Sequence, residues 1–265
     1  MTTIHTLSSG SGGNSLLLSC GGAHYLIDAG ISCRRIKNAL GELSLSPEDV
    51  SAVFITHEHS DHISGLASLV KQYRLPVYAS RGTAAQLAYR IAGIEPLLCP
   101  LDPGEPFSLA GCCVTAFSTS HDTAQSVDFR FDTPDGAAGI LTDTGYVTAE
   151  AADTLRGVAL LVLESNHDVE SLTSGPYPYY LKQRILSDRG HLSNDAAADF
   201  AVEMAGCGTR EIVLAHLSQE NNTPAMAFNT VERRLQAAGY DPRLSIAPRG
   251  TLSECYTVEG LLCRK

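Results

Sequence analysis

The sequence predicts an α/β fold in which two mixed β-sheets pack face to face and helices cover both outer surfaces. Short apolar strands and amphipathic helices alternate along all 265 residues, and each half of the chain contains both kinds of element. Hydrophobic residues make up 44% of the chain, which is enough for a large core. No long polar, Pro-rich or Ser-rich stretch separates the halves, so we expect a single domain covering residues 1–265.

The first half begins with strand-like segments and continues with helical ones. Strands are expected at residues 4–7, 15–19, 25–27 and 50–56. Ser32 is a candidate N-cap for a helix, since apolar residues at helical spacing follow it. A second helical face occupies residues 63–73, and Pro76 prevents its continuation.

The second half opens with antiparallel strand patterns over residues 106–142, where Pro134, Asp135 and Gly136 form a hairpin turn. The remaining expected elements are strands at 158–163 and 211–215, helices at 178–187, 193–205 and 224–238, and two closing strands. Gly239 ends the last helix.

Charge and composition exclude several classes of protein. The net charge of −10 argues against a general nucleic-acid coat protein, because such proteins displace counterions with Lys and Arg. A nuclease is not excluded, since bound metals and a local basic strip can supply the positive field. The longest apolar run, residues 158–163, is far shorter than the ~18 residues of a membrane span, and no secretory signal precedes it. We therefore expect a soluble intracellular protein with no membrane partner; no pattern identifies a protein partner.

The cysteines show no metal or redox spacing. They stand at positions 20, 33, 99, 112, 113, 207, 255 and 263. None forms a C-x2-C pair, and a chain of this length needs no disulfide staples, so reduced thiols are expected.

The most informative segment is residues 57–62, which holds three histidines and an aspartate in six positions. In a turn that leaves a strand, His57 and His59 can point to one metal ion, while Asp61 and His62 reach a neighbouring ion. One loop supplies too few ligands for two ions, so other segments must contribute.

Polar residues that follow apolar strands are the other candidate ligands. They are Asp28, His121, Asp143, Glu164 and His216. Residues just past strand carboxyl ends can converge at one edge of a sheet. Each residue alone could equally be a capping Asp or a core His, but together they indicate a shared site.

The pattern His57-x-His59-x-Asp61-His62, followed by His121, Asp143 and His216, resembles the metallo-β-lactamase superfamily along nearly the whole chain. The resemblance implies an αββα four-layer sandwich with two divalent ions, Zn²⁺ or Mn²⁺, at one edge. It implies that His57, His59 and His121 hold the first ion, that Asp61, His62 and His216 hold the second, and that Asp143 bridges them. Asp28 matches a position that supports the histidine loop.

Further segments resemble the YycJ/WalJ nuclease branch of that superfamily. They are residues 10–15, 164–168, 190–194 and 215–218. Glu164 and His191 also resemble a Glu and His pair of tRNase Z-like phosphodiesterases. The resemblance implies a bacterial cytoplasmic exonuclease with 5′-to-3′ direction, acting on DNA rather than RNA. Because true β-lactamases generally replace the bridging Asp, a lactamase is disfavoured.

The chemistry of phosphodiester hydrolysis suits this site. Two bridged metals ~3.5–4 Å apart provide a bridging hydroxide at neutral pH and clamp the phosphate. His191, oriented by Glu164, could stabilise the phosphate or protonate the leaving oxygen. The candidate catalytic residues are Asp61, Glu164, His167 and His191.

Candidate substrate contacts come from three segments. They are Ser11 and Asn14 in the Gly-rich opening loop, Tyr180, Lys182 and Arg184 in the 177–189 stretch, and Asn221 after His216. The opening loop could cradle a phosphate or simply join a hairpin. The 177–189 stretch could stack bases and bind phosphates, or be a helix with a core face and solvated charges. Arg34, Arg35 and Lys37 are expected on a helix surface.

Three other functions stay open at this point. One is a small-molecule hydrolase, such as a cyclic nucleotide phosphodiesterase or a glyoxalase II-like thioesterase, since the latter shares all seven ligands. Another is a tRNase Z-like ribonuclease. A metal-bound interaction module without turnover is disfavoured by the complete ligand set.

Overall fold

The computed structural model describes residues 1–259, which form two seven-stranded sheets with helices around them. The first sheet contains β1 (Thr3–Ser8), β2 (Ser15–Cys20), β3 (Ala23–Ile27), β4 (Val50–Ile55), β5 (Val77–Ser80), β6 (Leu98–Leu101) and β14 (Tyr256–Thr257). The second contains β7 (Phe107–Leu109), β8 (Cys112–Ser118), β9 (Val127–Thr133), β10 (Gly136–Leu141), β11 (Leu160–Glu164), β12 (Glu211–Ala215) and β13 (Arg243–Ile246).

The helices are α1 (Cys33–Glu42), α2 (Ser60–Ile63), α3 (Leu66–Tyr73), α4 (Arg81–Arg90), α5 (Ala149–Leu155), α6 (Val169–Ser174), α7 (Tyr179–Ile185), α8 (Asn194–Gly206) and α9 (Pro224–Ala237). Two 3₁₀ turns, Pro47–Asp49 and Glu95–Leu97, lead into β4 and β6. No helix within residues 1–259 is long and apolar enough to cross a bilayer.

Both sheets are mixed, with the strand orders β14-β1-β2-β3-β4-β5-β6 and β13-β12-β11-β10-β9-β8-β7. Strands β3 to β6 run parallel to one another, as do β10 to β13, while the remaining neighbours are antiparallel. The parallel strands of each sheet end in loops that carry the candidate ligands. The predicted fold class is confirmed.

Apolar packing divides the molecule into layers. Phe54 on β4 packs against aromatic rings of both sheets, among them Tyr25 and Phe129, and this cluster fills the space between the sheets. A second cluster lies between the first sheet and helices α1, α3 and α4, and a third joins the second sheet to α5, α8 and α9. The order of layers is therefore helix, sheet, sheet, helix.

Several local expectations can be compared with the structure. Ser32 caps α1, since its hydroxyl accepts from Arg35 N at 3.3 Å. The helix expected over residues 63–73 is instead two helices, α2 and α3, which meet at Gly65. A Cβ at Gly65 would lie 2.0 Å from Ile31 O, so the backbone of Ile31 is too close for any residue other than glycine.

The thiols agree with the reduced state expected for them. The seven cysteines within residues 1–259 form no disulfide, and Cys263 lies outside the described residues.

Replacement of Phe54 by Ala should lower the free energy of unfolding by about 3–5 kcal/mol, because Phe54 is fully buried between the sheets. Urea denaturation measures this loss. Tyr89→Ala is the matched control, since Tyr89 is 89% exposed, and its effect should stay within about 0.5 kcal/mol. Equal effects of the two substitutions would contradict the assignment of Phe54 to the shared core.

Candidate metal centre

The first cluster of donors combines His57, His59 and His121. The first two lie in the loop between β4 and α2, and the third follows β8. One ligand atom from each residue falls within 4.8 Å of the others, and His121 Nε2 lies 3.3 Å from His59 Nδ1. His57 Nε2 is buried without a hydrogen-bond partner, which is costly unless a metal ion occupies the space it faces.

The second cluster combines Asp61, His62 and His216. Asp61 Oδ2 lies 3.6 Å from His62 Nε2 and 3.8 Å from His216 Nε2. The Nε2 atom of His216 is also buried without a hydrogen-bond partner. The donors belong to α2 and to the end of β12, so one cluster joins the two sheets.

Asp143, which follows β10, lies between the two clusters. Its Oδ2 atom is 3.2 Å from His62 Nε2, and its Oδ1 atom is 3.7 Å from His121 Nε2 and 3.6 Å from His216 Nε2. The carboxylate therefore contacts donors of both clusters, a position from which it could bridge two ions.

Asp28 orients two of the imidazoles at once. Its Oδ2 accepts from His62 Nδ1 at 2.7 Å and from the Thr56 hydroxyl at 2.9 Å. Because that hydroxyl donates to Asp28, it accepts from His57 Nδ1, which lies 3.0 Å away. Both rings then carry their proton on Nδ1 and keep the Nε2 lone pair for a metal ion.

Glu164, at the end of β11, has the same role in the other sheet. Its Oε1 accepts from His216 Nδ1 at 2.9 Å and from His191 Nδ1 at 2.8 Å. Its Oε2 accepts from the backbone N–H groups of Thr144 and Leu192. Glu164 thus links a candidate metal ligand to His191, which lines the cleft beside it.

Three of these residues adopt the left-handed backbone region. The φ angles are 61° at Asp28, 51° at Asp143 and 55° at His216. A non-glycine residue in such a conformation costs of order 1 kcal/mol or more and persists only where surrounding contacts enforce it. These turns direct the side chains off the strand ends and toward each other.

The carboxylates and burial shift the pKa values of the imidazoles in opposite directions. Burial, followed by repulsion from His62, holds the pKa of His57 well below its usual range. Burial alone would lower the pKa of His216, but the neighbouring carboxylates of Asp143, Asp61 and Glu164 raise it to about 10. The site therefore contains carboxylate charge that draws in cations.

The donor set fits two divalent ions. It offers imidazole nitrogens and carboxylate oxygens, the ligands of Zn²⁺ and Mn²⁺, with buried ligand atoms that have no other partner. The Nδ1 atoms of His57, His62, His121 and His216 face oxygen atoms instead; Gly190 O, for example, lies 3.1 Å from His121 Nδ1. Divalent metal binding is thus indicated by the geometry as well as by residue type.

A cleft of about 240 Å³ opens above the two clusters. Ser11 and Arg184, two of the candidate substrate contacts, line it. Asn14 instead lies against the centre, with Nδ2 3.1 Å from His62 Nε2 and Oδ1 accepting from Gly10 N. Asn14 therefore shapes the opening loop.

Two predicted residues are buried, which corrects the expectations made for them. His167 and Asn221 are each only 1% exposed, so they cannot meet a substrate without rearrangement. Burial lowers the pKa of His167 to about 4, so its ring is neutral.

Two further candidates lie outside the cleft lining. Tyr180 is 74% exposed, and Lys182 donates to Thr173 O. Their contacts with a substrate stay predictions.

The sequence reasoning missed several residues of the site. Glu58 is buried within the histidine motif and accepts from Ala124 N, which joins this loop to the one after His121. Asp128 is buried inside β9 and accepts from Thr142 N at 2.6 Å; burial raises its pKa well above the usual range. Asp128 alternates along β9 with the core residues Val127 and Phe129, as a solvent-facing residue would, so its position in the sequence offered no signal.

Comparison with known proteins adds independent information. A family model described as a beta-lactamase superfamily domain matches residues 24–217. Exodeoxyribonuclease WalJ of Streptococcus pneumoniae is 38% identical over 235 residues, which cover 88% of this chain and 87% of that protein. Exodeoxyribonuclease YycJ of Bacillus anthracis is 38% identical over 240 residues, with coverage of 88% and 89%.

Solved structures show the same fold. The metallo-β-lactamase fold protein YhfI of Bacillus subtilis matches with a TM-score of 0.72 at 18% identity, covering 95% of this chain and 98% of that one. The short form of human tRNase Z matches with a TM-score of 0.68 at 19% identity, covering 97% and 99%.

Substitution of Asp28 by Asn should weaken metal affinity by about 10- to 100-fold. Asn tolerates the left-handed backbone at this position. An amide has only one acceptor oxygen, so it cannot replace both Oδ1, which accepts from Thr56 N, and Oδ2, which accepts from the Thr56 hydroxyl and His62 Nδ1. Competition with a chromogenic chelator measures the affinity. Asp153→Asn is the control, because the Asp153 side chain is 80% exposed; unchanged affinity in Asp28→Asn would contradict the orienting role.

Proposed function

The chain belongs to the metallo-β-lactamase superfamily, as its motifs predicted, and on this premise we propose that it is a DNA exonuclease that works with two divalent metal ions. It is an enzyme of a hydrolase family, and the curated relatives at 38% identity are named exodeoxyribonucleases. From the resemblance to the YycJ/WalJ branch, we also propose that the enzyme degrades DNA in the 5′-to-3′ direction and acts in the bacterial cytoplasm.

The link from His191 through Glu164 to His216 is the observation that carries this proposal. Glu164 Oε1 accepts from both imidazoles, so a residue that lines the cleft is fixed relative to a metal-ligand candidate. A phosphodiester needs a nucleophile, neutralised phosphoryl oxygens and a protonated leaving oxygen. When bound, the two ions would supply the nucleophile and neutralise the phosphoryl oxygens.

The protein's own residues divide the remaining work. His57, His59 and His121 would hold one ion, Asp61, His62 and His216 the other, and Asp143 both. With Nδ1 donating to Glu164, His191 uses Nε2 to pass a proton to the leaving oxygen. Ser11 and Arg184 line the cleft and would contact the substrate.

One side of the cleft, opposite the opening loop, is formed by residues 177–191. Two hydrogen bonds hold it to the candidate metal centre. Ser120 Oγ donates to Asp188 O, and the Arg189 guanidinium donates to His121 O at 3.0 Å. These bonds fix the segment that leads into His191.

The proposed activity is tested with end-labelled single- and double-stranded DNA and RNA and with protein loaded with Mn²⁺ or Zn²⁺. Stepwise release of nucleotides from 5′ ends of DNA is expected. Cleavage of RNA alone would indicate a tRNase Z-like ribonuclease, and hydrolysis of small esters alone would indicate a small-molecule hydrolase; either result would overturn the proposal.

Replacement of His191 by Ala should lower the turnover of DNA by about 10²- to 10⁴-fold without changing metal content. Hydrolysis of bis(p-nitrophenyl) phosphate should fall much less, because its leaving group departs readily without a proton. His24→Ala, on the distant β3, is the control. Equal losses on both substrates would contradict the proton-donor role, and loss of metal would make His191 a ligand.

A further inference from the structure

The cations on the α7 side of the cleft are already engaged within the protein. Arg184 Nε donates to Asp122 Oδ2 at 2.6 Å, so a carboxylate balances its charge. Arg189 donates to His121 O through both Nε and one terminal nitrogen. Lys182 donates to Thr173 O and does not line the cleft. Of these three cations, only Arg184 has its charge balanced by a carboxylate, whereas Arg189 and Lys182 are held by backbone carbonyls and so fix this side of the cleft.

Arg249 lies on the opposite side, at the rim formed by the opening loop and the turn after His216. Its guanidinium donates to Ser218 O at 3.0 Å, and Ser218 lines the cleft. The side chain reaches that carbonyl by passing over Gly10, where an added Cβ would lie 3.6 Å from Arg249 Cγ. Gly10 also has a φ of +131°, which disfavours any larger residue there. The absence of a side chain at Gly10 thus leaves space for Arg249, whose guanidinium lies beside the cleft.

A second exposed arginine stands next to it. Arg35, on α1, donates to Gly250 O at 3.2 Å and lies 3.4 Å from Ser8 Oγ. The same Ser8 hydroxyl donates to Arg249 O, so this one hydroxyl contacts both arginines. The arginine ion pairs within residues 1–259 involve Arg81, Arg130, Arg156, Arg184, Arg234 and Arg243. Arg35 and Arg249 make none of these ion pairs, and neither does Arg189 on the α7 side, so all three keep their charge uncompensated in a chain whose net charge is −10.

We infer that Arg249, with Arg35 beyond it, binds the phosphates of the DNA strand outside the cleft. This inference rests on the proposed nuclease function and assigns the side from which the strand reaches the metal centre. An arginine has five N–H donors, and Arg249 directs one terminal nitrogen to Ser218 O, so donors are left for phosphate oxygens. Ser218 follows His216 by two residues, within about 8 Å along the chain, so the phosphate bound by Arg249 is a close neighbour of the one being hydrolysed.

The test compares Arg249→Gln with the wild-type protein in binding a fluorescent phosphorothioate oligonucleotide that resists cleavage. Loss of one phosphate contact should weaken binding about tenfold near 0.1 M salt and reduce the slope of log affinity against log salt by about one. Arg35→Gln should reduce the slope by a similar amount, and the double variant by about two. Hydrolysis of bis(p-nitrophenyl) phosphate should be unchanged, because that substrate has no second phosphate.

Arg233→Gln is the matched control, since Arg233 is an exposed arginine on α9 that also donates to a backbone carbonyl. Wild-type affinity and salt slope in Arg249→Gln and Arg35→Gln would overturn the inference, as would an equal loss on the small phosphodiester. Failure of the wild-type protein to degrade DNA would instead overturn the proposed function. Arg35→Gln gives an independent readout if Arg249→Gln does not fold, which circular dichroism would reveal.

Discussion

Two buried carboxylates, Asp28 and Glu164, hold the functional site together, because each is shared between two histidines. Asp28 orients His62 directly and His57 through Thr56, while Glu164 orients His216 and His191. A buried carboxylate is costly unless donors surround it. The donors here are Thr56, His62, His191 and His216, together with the backbone N–H groups of Thr144 and Leu192. The pKa of Glu164, which burial would raise, is lowered to about 2 by His191 and His216. The same hydrogen bonds that keep the acid ionised set the direction of the rings.

The two-sheet architecture makes this sharing possible. Asp28 and the histidine loop follow neighbouring parallel strands of the first sheet, and Glu164 and His216 follow neighbouring parallel strands of the second. The aromatic cluster around Phe54 holds the sheets face to face, so the strand ends of both reach one rim. The left-handed backbone conformations at this rim cost free energy, which the packing of the two sheets offsets. The fold thus concentrates donors from distant parts of the chain into one compact centre.

The sequence was most informative where function is local. The histidine motif occupies six consecutive positions, and Asp28, Asp143 and His216 each follow an apolar run, so the metal-binding candidates could be predicted. It could not be predicted that Glu164 accepts from both His191 and His216, because this depends on the register of β11 against β12. Tyr180 and Lys182 lie outside the cleft lining, since composition does not say which face of a short helix meets a cleft. Strands β5 and β6 were not predicted because four residues give little periodicity. Helix α4 was not predicted because its buried face consists only of Thr83, Ala84 and Leu87.

We propose that one rim of the sandwich gathers two divalent cations around Asp143. Anomalous X-ray diffraction from crystals of the Mn²⁺- or Zn²⁺-loaded protein would locate them. We expect two peaks about 3.5–4 Å apart, one among His57, His59 and His121 and the other among Asp61, His62 and His216. A single peak, or peaks away from these residues in fully loaded crystals, would contradict it.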